Sequence, residues 1–170
     1  MLADIERAEQ GYLARFERHY PHPVSRVWAM LTDNEQLAKW FPELKVNDLR
    51  KGGKILFDMQ DGTFEEMEIV DLEAPEVLEF TWGEDRVRFE LGGEPGGCRL
   101  LMIEKIREMT DHTPKDLAGW HVCLDVIGTL LDGKTPGPRD SEWETWYRQY
   151  AHLAKERTSQ QEPGSRGNRS

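Results

Sequence analysis

Two cysteines in 170 residues, no long apolar run and a shortage of positive charge set the first limits on this chain. Cys98 and Cys123 form no CxxC pair. Two such thiols neither demand a disulfide nor point to an oxidising compartment, so buried, reduced thiols are the expectation. No stretch approaches the roughly 18 apolar residues of a membrane span, and Met1 to Gln10 lacks the basic-then-apolar layout of a signal peptide. The expected setting is therefore cytoplasmic. Lysine and arginine number 22 against 32 acidic residues, a net charge of −10, which would repel nucleic acid and anionic membranes. The tail from Arg157 to Ser170 is itself basic, so the remainder is more acidic than the net figure. Phosphate-binding loops, dinucleotide fingerprints and nucleophile elbows are missing too: Gly92-Gly93 and Gly96-Gly97 flank a hairpin and do not open a helix after a strand. His112, His121, Cys123 and His152 have no zinc-site spacing. No metal, cofactor or catalytic group is implied.

What is present is one long amphipathic helix late in the chain, Lys115 to Asp132. Thr113 can cap it, Pro114 suits the first helical position, Asp116 lies in its first turn and Gly133 can close it. Leu117, Trp120, Leu124, Ile127 and Leu131 follow one helical face, widened by Val122, Val126 and Leu130. At about 1.5 Å per residue it spans about 27 Å, enough to cross several strands.

Those strands are written upstream. Met1 to Gln10 reads as a short helix or an arm, and Tyr12 to Tyr20 alternates as a first strand. Pro21 and Pro23 stop it. Val24 to Leu31 then reads as a helix with Trp28 in the core, and Thr32 with Glu35 has capping-box spacing for a second helix through Trp40. Lys45–Leu49, Lys54–Met59, Thr63–Leu72, Val77–Trp82, Arg86–Leu91 and Cys98–Ile106 read as strands. They are separated by turn signals at Asp61-Gly62, Ala74-Pro75, Gly83-Glu84 and Gly92 to Gly97. Beyond the long helix, Thr135 to Pro138 is a stiff linker. A final helix then places Trp143, Trp146, Tyr147, Tyr150 and Leu153 on one face, expected to pack on the domain's own exterior. Residues 158–170, rich in Ser, Gln, Gly and Arg, are expected to be disordered.

The motifs HPVSRVWAMLTDNEQLAKWF (His22 to Phe41), the Asp61-Gly62 hairpin, APEVLEFTW (Ala74 to Trp82) and AGWHVCLDVIGTLLDG (Ala118 to Gly133) resemble the START-like (SRPBCC, helix-grip) superfamily. Within it, the chain is similar to the branch named for Aha-type activators of the heat-shock-90 chaperone ATPase. The resemblance implies an α+β helix-grip fold. A curved antiparallel sheet of about six to seven strands would wrap a long C-terminal helix, with two short helices after the first strand and an extra C-terminal helix. The expected organisation is an arm over residues 1–11, the helix-grip domain over 12–134, and the linker with the Trp-rich helix over 135–157.

The resemblance also implies a cavity between sheet and long helix, entered near the short helices. Its candidate lining is Phe57, Trp82, Phe89, Met102, Trp120 and Leu124, with Trp40 and Phe41 at the mouth. The same side chains could simply fill the core. His121 and Glu104 are the candidate polar anchor, if the helix brings the imidazole to the acid on its strand. Otherwise His121 sits on the helix flank beside Asp125, and Glu104 at a wet strand edge. The function this supports is non-catalytic binding of a small hydrophobic, lipid-like or aromatic molecule by a monomer or weak dimer. Burying about 200 Å² of ligand at about 25 cal/mol per Å² contributes about 5 kcal/mol before association costs. The alternative is a protein-interaction module that regulates a chaperone or another partner, which needs a surface epitope instead of a cavity.

Overall fold

The computed structural model describes residues 1–169, with side chains through residue 159. Twelve elements run in the order β1 (Asp4–Ala8), β2 (Gly11–Tyr20), α1 (Val24–Thr32), α2 (Asn34–Trp40), β3 (Leu44–Val46), β4 (Lys54–Asp58), β5 (Phe64–Glu73), β6 (Val77–Trp82), β7 (Asp85–Glu94), β8 (Gly97–Ile106), α3 (Thr113–Leu131) and α4 (Arg139–Arg169). The strands form one 8-stranded antiparallel sheet in the order β1-β2-β8-β7-β6-β5-β4-β3. This is the α+β helix-grip architecture, with one strand more than expected.

The extra strand is β1. Asp4–Ala8 is no arm or helix: it pairs with Tyr12 to Arg15 of β2 and buries Ala3 and Ile5. Its charge-rich sequence alternates on only two apolar residues, so the strand exists because β2 offers an edge to pair with. Other boundaries shift for local reasons. Asp33, not Thr32, caps α2, its side chain accepting the Glu35 N–H. Thr32 instead donates back to the Trp28 carbonyl. Trp28 is only half-buried, whereas Met30 joins Val27 and Leu31 in the core. The turn at Asp61-Gly62 is longer than two residues, since Met59 N–H donates to the Thr63 carbonyl. Gly92 and Gly93 lie inside β7, paired with Arg99 and Cys98, and the turn is confined to Pro95-Gly96. Thr113 lies within the first turn of α3 and makes no side-chain cap.

The concave face of the sheet is apolar because strand alternation directs Phe80, Val87, Phe89, Leu100, Met102 and Phe16 inward together. Helix α3 covers it with Leu117, Trp120, Leu124 and Ile127, all buried. Tyr20 ties the two layers: its hydroxyl donates to the Leu124 carbonyl at 2.8 Å. This close approach is possible because Gly128, one turn further on, has no side chain; a Cβ there would meet the Tyr20 ring at 3.1 Å. The opposite face of the sheet is held by ions. Glu79, nearly inaccessible, receives Lys105 and Arg88, each at 3.0 Å, and Arg88 also pairs with Asp71.

Helix α4 lies along α3 and reaches β1. Tyr150 is fully buried, and Trp143, Trp146, Tyr147 and Leu153 pack against the core. Arg157 donates to the Ile5 carbonyl at 2.8 Å, and Thr158 to the Ala154 carbonyl. The tail expected to be disordered, residues 158–170, lies from position 160 onward outside the residues whose side chains are described. Both cysteines are free and buried. Among the described residues no helix is long and apolar enough to cross a membrane.

Candidate functional site

Between sheet and long helix the expected lining residues pack ring against ring, and the remaining space opens at the surface. A small void under α1 and α2, bordered by Leu31, Trp40, Leu78, Phe80 and Phe89, holds about 10 Å³, the lower limit for one water. Aromatic rings have filled the rest. Trp82 and Trp120 lie 5.1 Å apart between centroids, Phe41 stands 5.7 Å from Trp120 and 5.9 Å from Trp82, and Phe57 stands 6.0 Å from Trp82. Phe89 and Trp40 complete the cluster from below. Tilted and edge-on rings at these spacings contribute more than their buried area alone.

Two concavities open where this cluster reaches the surface. The first, an aromatic groove of about 560 Å³, runs between α2, the first half of α3 and the start of α4. Its walls are Trp40, Phe41, Trp82, Trp120 and Trp143, with Gly119 as a flat strip of floor and Cys123 beside Arg139. The second, a cleft of about 620 Å³, lies between β6–β7, β8 and the entry to α3. It is walled by Phe57 and Trp82 and by the acids Glu65, Glu84, Asp85, Glu108 and Asp116. Trp82, His112 and Asp116 belong to both, so groove and cleft meet at one shared wall. That wall is rigid, because Trp82 Nε1 donates to Asp116 at 2.9 Å.

The expected site residues therefore separate. Trp40, Phe41, Trp82 and Trp120 line the groove, and Phe57 with Trp82 lines the cleft. Phe89, Met102 and Leu124 are 0 to 1% exposed and line neither, so they are core. Trp120 keeps a polar opportunity: its buried Nε1–H has no partner.

Glu104 and His121 are both fully buried and are not a pair. Glu104 points to the concave side, between Ala14 and Val87 of the flanking strands, whose short side chains leave it room. Both its oxygens lack a hydrogen-bond partner. Burial drives its pKa well above the carboxylate range, reinforced by the charge of Asp116 within hydrogen-bonding reach and by Asp85. Two carboxylates cannot bond each other, so the contact with Asp116 becomes a hydrogen bond when Glu104 holds a proton and donates it.

His121 faces the other way, toward α4. It stacks on Trp146 at 3.9 Å, and its Nδ1 lies 2.7 Å from the Tyr150 hydroxyl. That hydroxyl also accepts the Ala3 N–H at 2.9 Å, and in the tautomer with the imidazole proton on Nε2 it donates its own proton to Nδ1. The Nε2–H then faces Asp125 at 3.4 Å, within ion-pair range but without hydrogen-bond geometry, and Asp125 is held by Arg18. Burial lowers the His121 pKa against the pull of Asp125. This group fastens α4 to α3 and does not touch the groove.

The model of the family described as "Activator of Hsp90 ATPase homolog 1-like protein" matches residues 21–132. The chain belongs to that family. The match runs from the end of β2 to the end of α3, so the family core contains the acidic cleft and most of the groove. Trp143, Tyr150 and the α4 wall lie outside it. No curated protein matches the sequence. Among solved structures, EF2215 from Enterococcus faecalis, a conserved protein of unknown function, is similar at 23% identity over 91% of each chain, with a TM-score of 0.81. CalU16 from Micromonospora echinospora is similar at 22% identity over 89% of this chain and 95% of its own, with a TM-score of 0.70. DynU16, a protein in the dynemicin biosynthetic locus, shares 24% identity over 72% of this chain and 48% of its own, with a TM-score of 0.62. These likenesses show the helix-grip fold of this member of the family.

Sequence reasoning missed Asp85, Asp116, Gly119 and Trp143 as wall residues. Asp116 stands one helical turn before Trp120, and that spacing was the available signal. Trp143 had none, since its place depends on how α4 docks.

Proposed function

We propose that this protein is a cytoplasmic, non-catalytic binder of a small, largely aromatic molecule, held in the groove between α2, α3 and α4. The observation that carries the reading is a ring-lined, half-buried groove of ligand size, about 560 Å³, walled by Trp40, Phe41, Trp82, Trp120 and Trp143. A flat ligand would stack between Trp82, Phe41 and Trp143. The occurrence of the similar DynU16 protein in a biosynthetic locus agrees with small-molecule work. Cys123, the one thiol there, is pushed up to about 12 by burial and stays protonated.

The test uses Gly119. A Cβ at this position meets nothing within 4 Å, so Gly119→Phe places a ring in the groove without disturbing the core. Backbone-amide NMR titration with 3-methylindole is expected to shift Trp82, Gly119 and Trp120 in the native protein and to leave the variant silent. Equal shifts in both would place binding elsewhere and refute this site.

A second reading, regulation of a chaperone ATPase or another protein partner, is supported by the family's description and by one surface feature. Phe64 and Met59 are 57% and 48% exposed on the β4–β5 hairpin, among Asp58, Asp61, Glu65 and Glu66. A partner with an apolar pocket rimmed by basic groups would fit. Retention on an immobilised heat-shock-90-type chaperone, lost in Phe64→Ser, is the expected result. No retention and no ATPase change in the presence of the native protein would remove this reading.

A further inference from the structure

We infer that the molecule bound in the aromatic groove carries a positive charge, and that the acidic cleft next to it is the subsite for that organic cation. The inference rests on the aromatic-groove reading and names the chemical class of its ligand.

Three observations meet here. The first is continuity: groove and cleft share the Trp82 and Asp116 wall, so a ring stacked on Trp82 places a substituent a few atoms long in the cleft. The second is the balance of charge. Five carboxylates line the cleft against one guanidinium, and that one, Arg107, is already bound to Glu84 at 2.7 Å. His112, exposed at the rim, is the other basic group on its wall. Lys115 lies on the groove side.

The third observation is Glu104. Fully buried behind Asp116, it has no hydrogen-bond partner unless it holds a proton and donates it to the Asp116 carboxylate. That Glu104 keeps its proton reflects, beside its burial, the negative field of Asp116 and Asp85 on the cleft wall in front of it. A cation against Asp116 and Asp85 offsets the repulsion between these two carboxylates. Trp82 and Phe57 add ring faces suited to an ammonium group.

The cation is organic and not a metal ion. Among the described residues no three His, Cys, Asp or Glu side chains converge closely enough to hold a metal. The carboxylates are spread around the cleft, which suits an alkylammonium or amidinium with several N–H donors. Their partners on the protein are few: Asp116 accepts from Trp82 and Asp85 from the Arg107 backbone N–H, each through one oxygen.

The test compares three probes with one ring system: tryptamine, neutral 3-methylindole and anionic indole-3-propionate. Affinities are read by calorimetry and locations by amide NMR. Tryptamine is expected to bind about tenfold or more tightly than 3-methylindole, the ratio set by one charge-assisted hydrogen bond, with indole-3-propionate weakest. Its shifts should extend from Gly119 and Trp120 to Asp85 and Asp116. Asp116→Asn and, independently, Asp85→Asn should each lower the preference for tryptamine over 3-methylindole. Equal affinity for tryptamine and 3-methylindole would overturn the inference while leaving the aromatic groove as a site. Tighter binding of indole-3-propionate would also overturn it. No binding by any probe would remove both readings.

Discussion

Replacing Glu104 with glutamine should make the protein more stable, and by an amount that grows with pH. The native carboxyl is buried between Ala14 and Val87, where it gains a hydrogen bond to Asp116 only while it holds a proton, and its pKa is raised above the ordinary 4.5. The folded state therefore holds a proton that the unfolded state has released. Below the unfolded value both states are protonated and Glu104 carries no penalty. As pH rises above it, stability falls by up to ~1.4 kcal/mol per pH unit, until the group ionises inside the fold. Glutamine has nearly the same shape, does not titrate, and can donate its amide N–H to Asp116 as the protonated acid does. Urea unfolding between about pH 5 and 8 should show the variant pulling away from the native protein as pH increases. Parallel stability curves would refute the reasoning, because they would mean that Glu104 is solvated or paired in the folded state.

Two glycines of α3 should respond in opposite directions to alanine. Gly119→Ala adds a methyl group into open space and should raise stability by about 0.5–1 kcal/mol, seen as a higher Tm. Gly128→Ala brings a methyl to 3.1 Å from a Tyr20 ring whose hydroxyl is pinned to Leu124, and overpacking of about 1–3 kcal/mol should outweigh the helix gain. Tyr150→Phe strands the Ala3 N–H and His121 Nδ1, and a loss of about 1–3 kcal/mol should appear with faster amide exchange in α4 and β1. Burial holds the His121 pKa below its ordinary 6.5, so its contribution is present above that pH and is lost as pH falls through the folded value. His121→Gln should flatten stability on that acidic limb, measured by chemical denaturation.

Local chemistry wrote much of this fold openly. Pro114 and the spacing of Leu117, Trp120, Leu124 and Ile127 made α3 legible, because helix ends and an amphipathic face are decided within a few residues. Alternation did the same for β6, β7 and β8, and the Gly83-Glu84 turn paired two of them. The aromatic half of the candidate site was legible for the same reason: Trp40, Phe41, Trp82 and Trp120 sit at recognisable places in those elements. Three things were decided only in three dimensions. Asp4–Ala8 became a strand because β2 supplied hydrogen-bonding partners that its own charge-rich sequence does not imply. Glu104 and His121 went to opposite sides of α3, since strand register and helix rotation decide direction, and a step of one residue reverses a strand side chain. Whether the space beneath α3 would be hollow or filled depended on how six rings from distant parts of the chain interlock. Packing of that kind is a property of neighbours distant in sequence, so no window of sequence contains it.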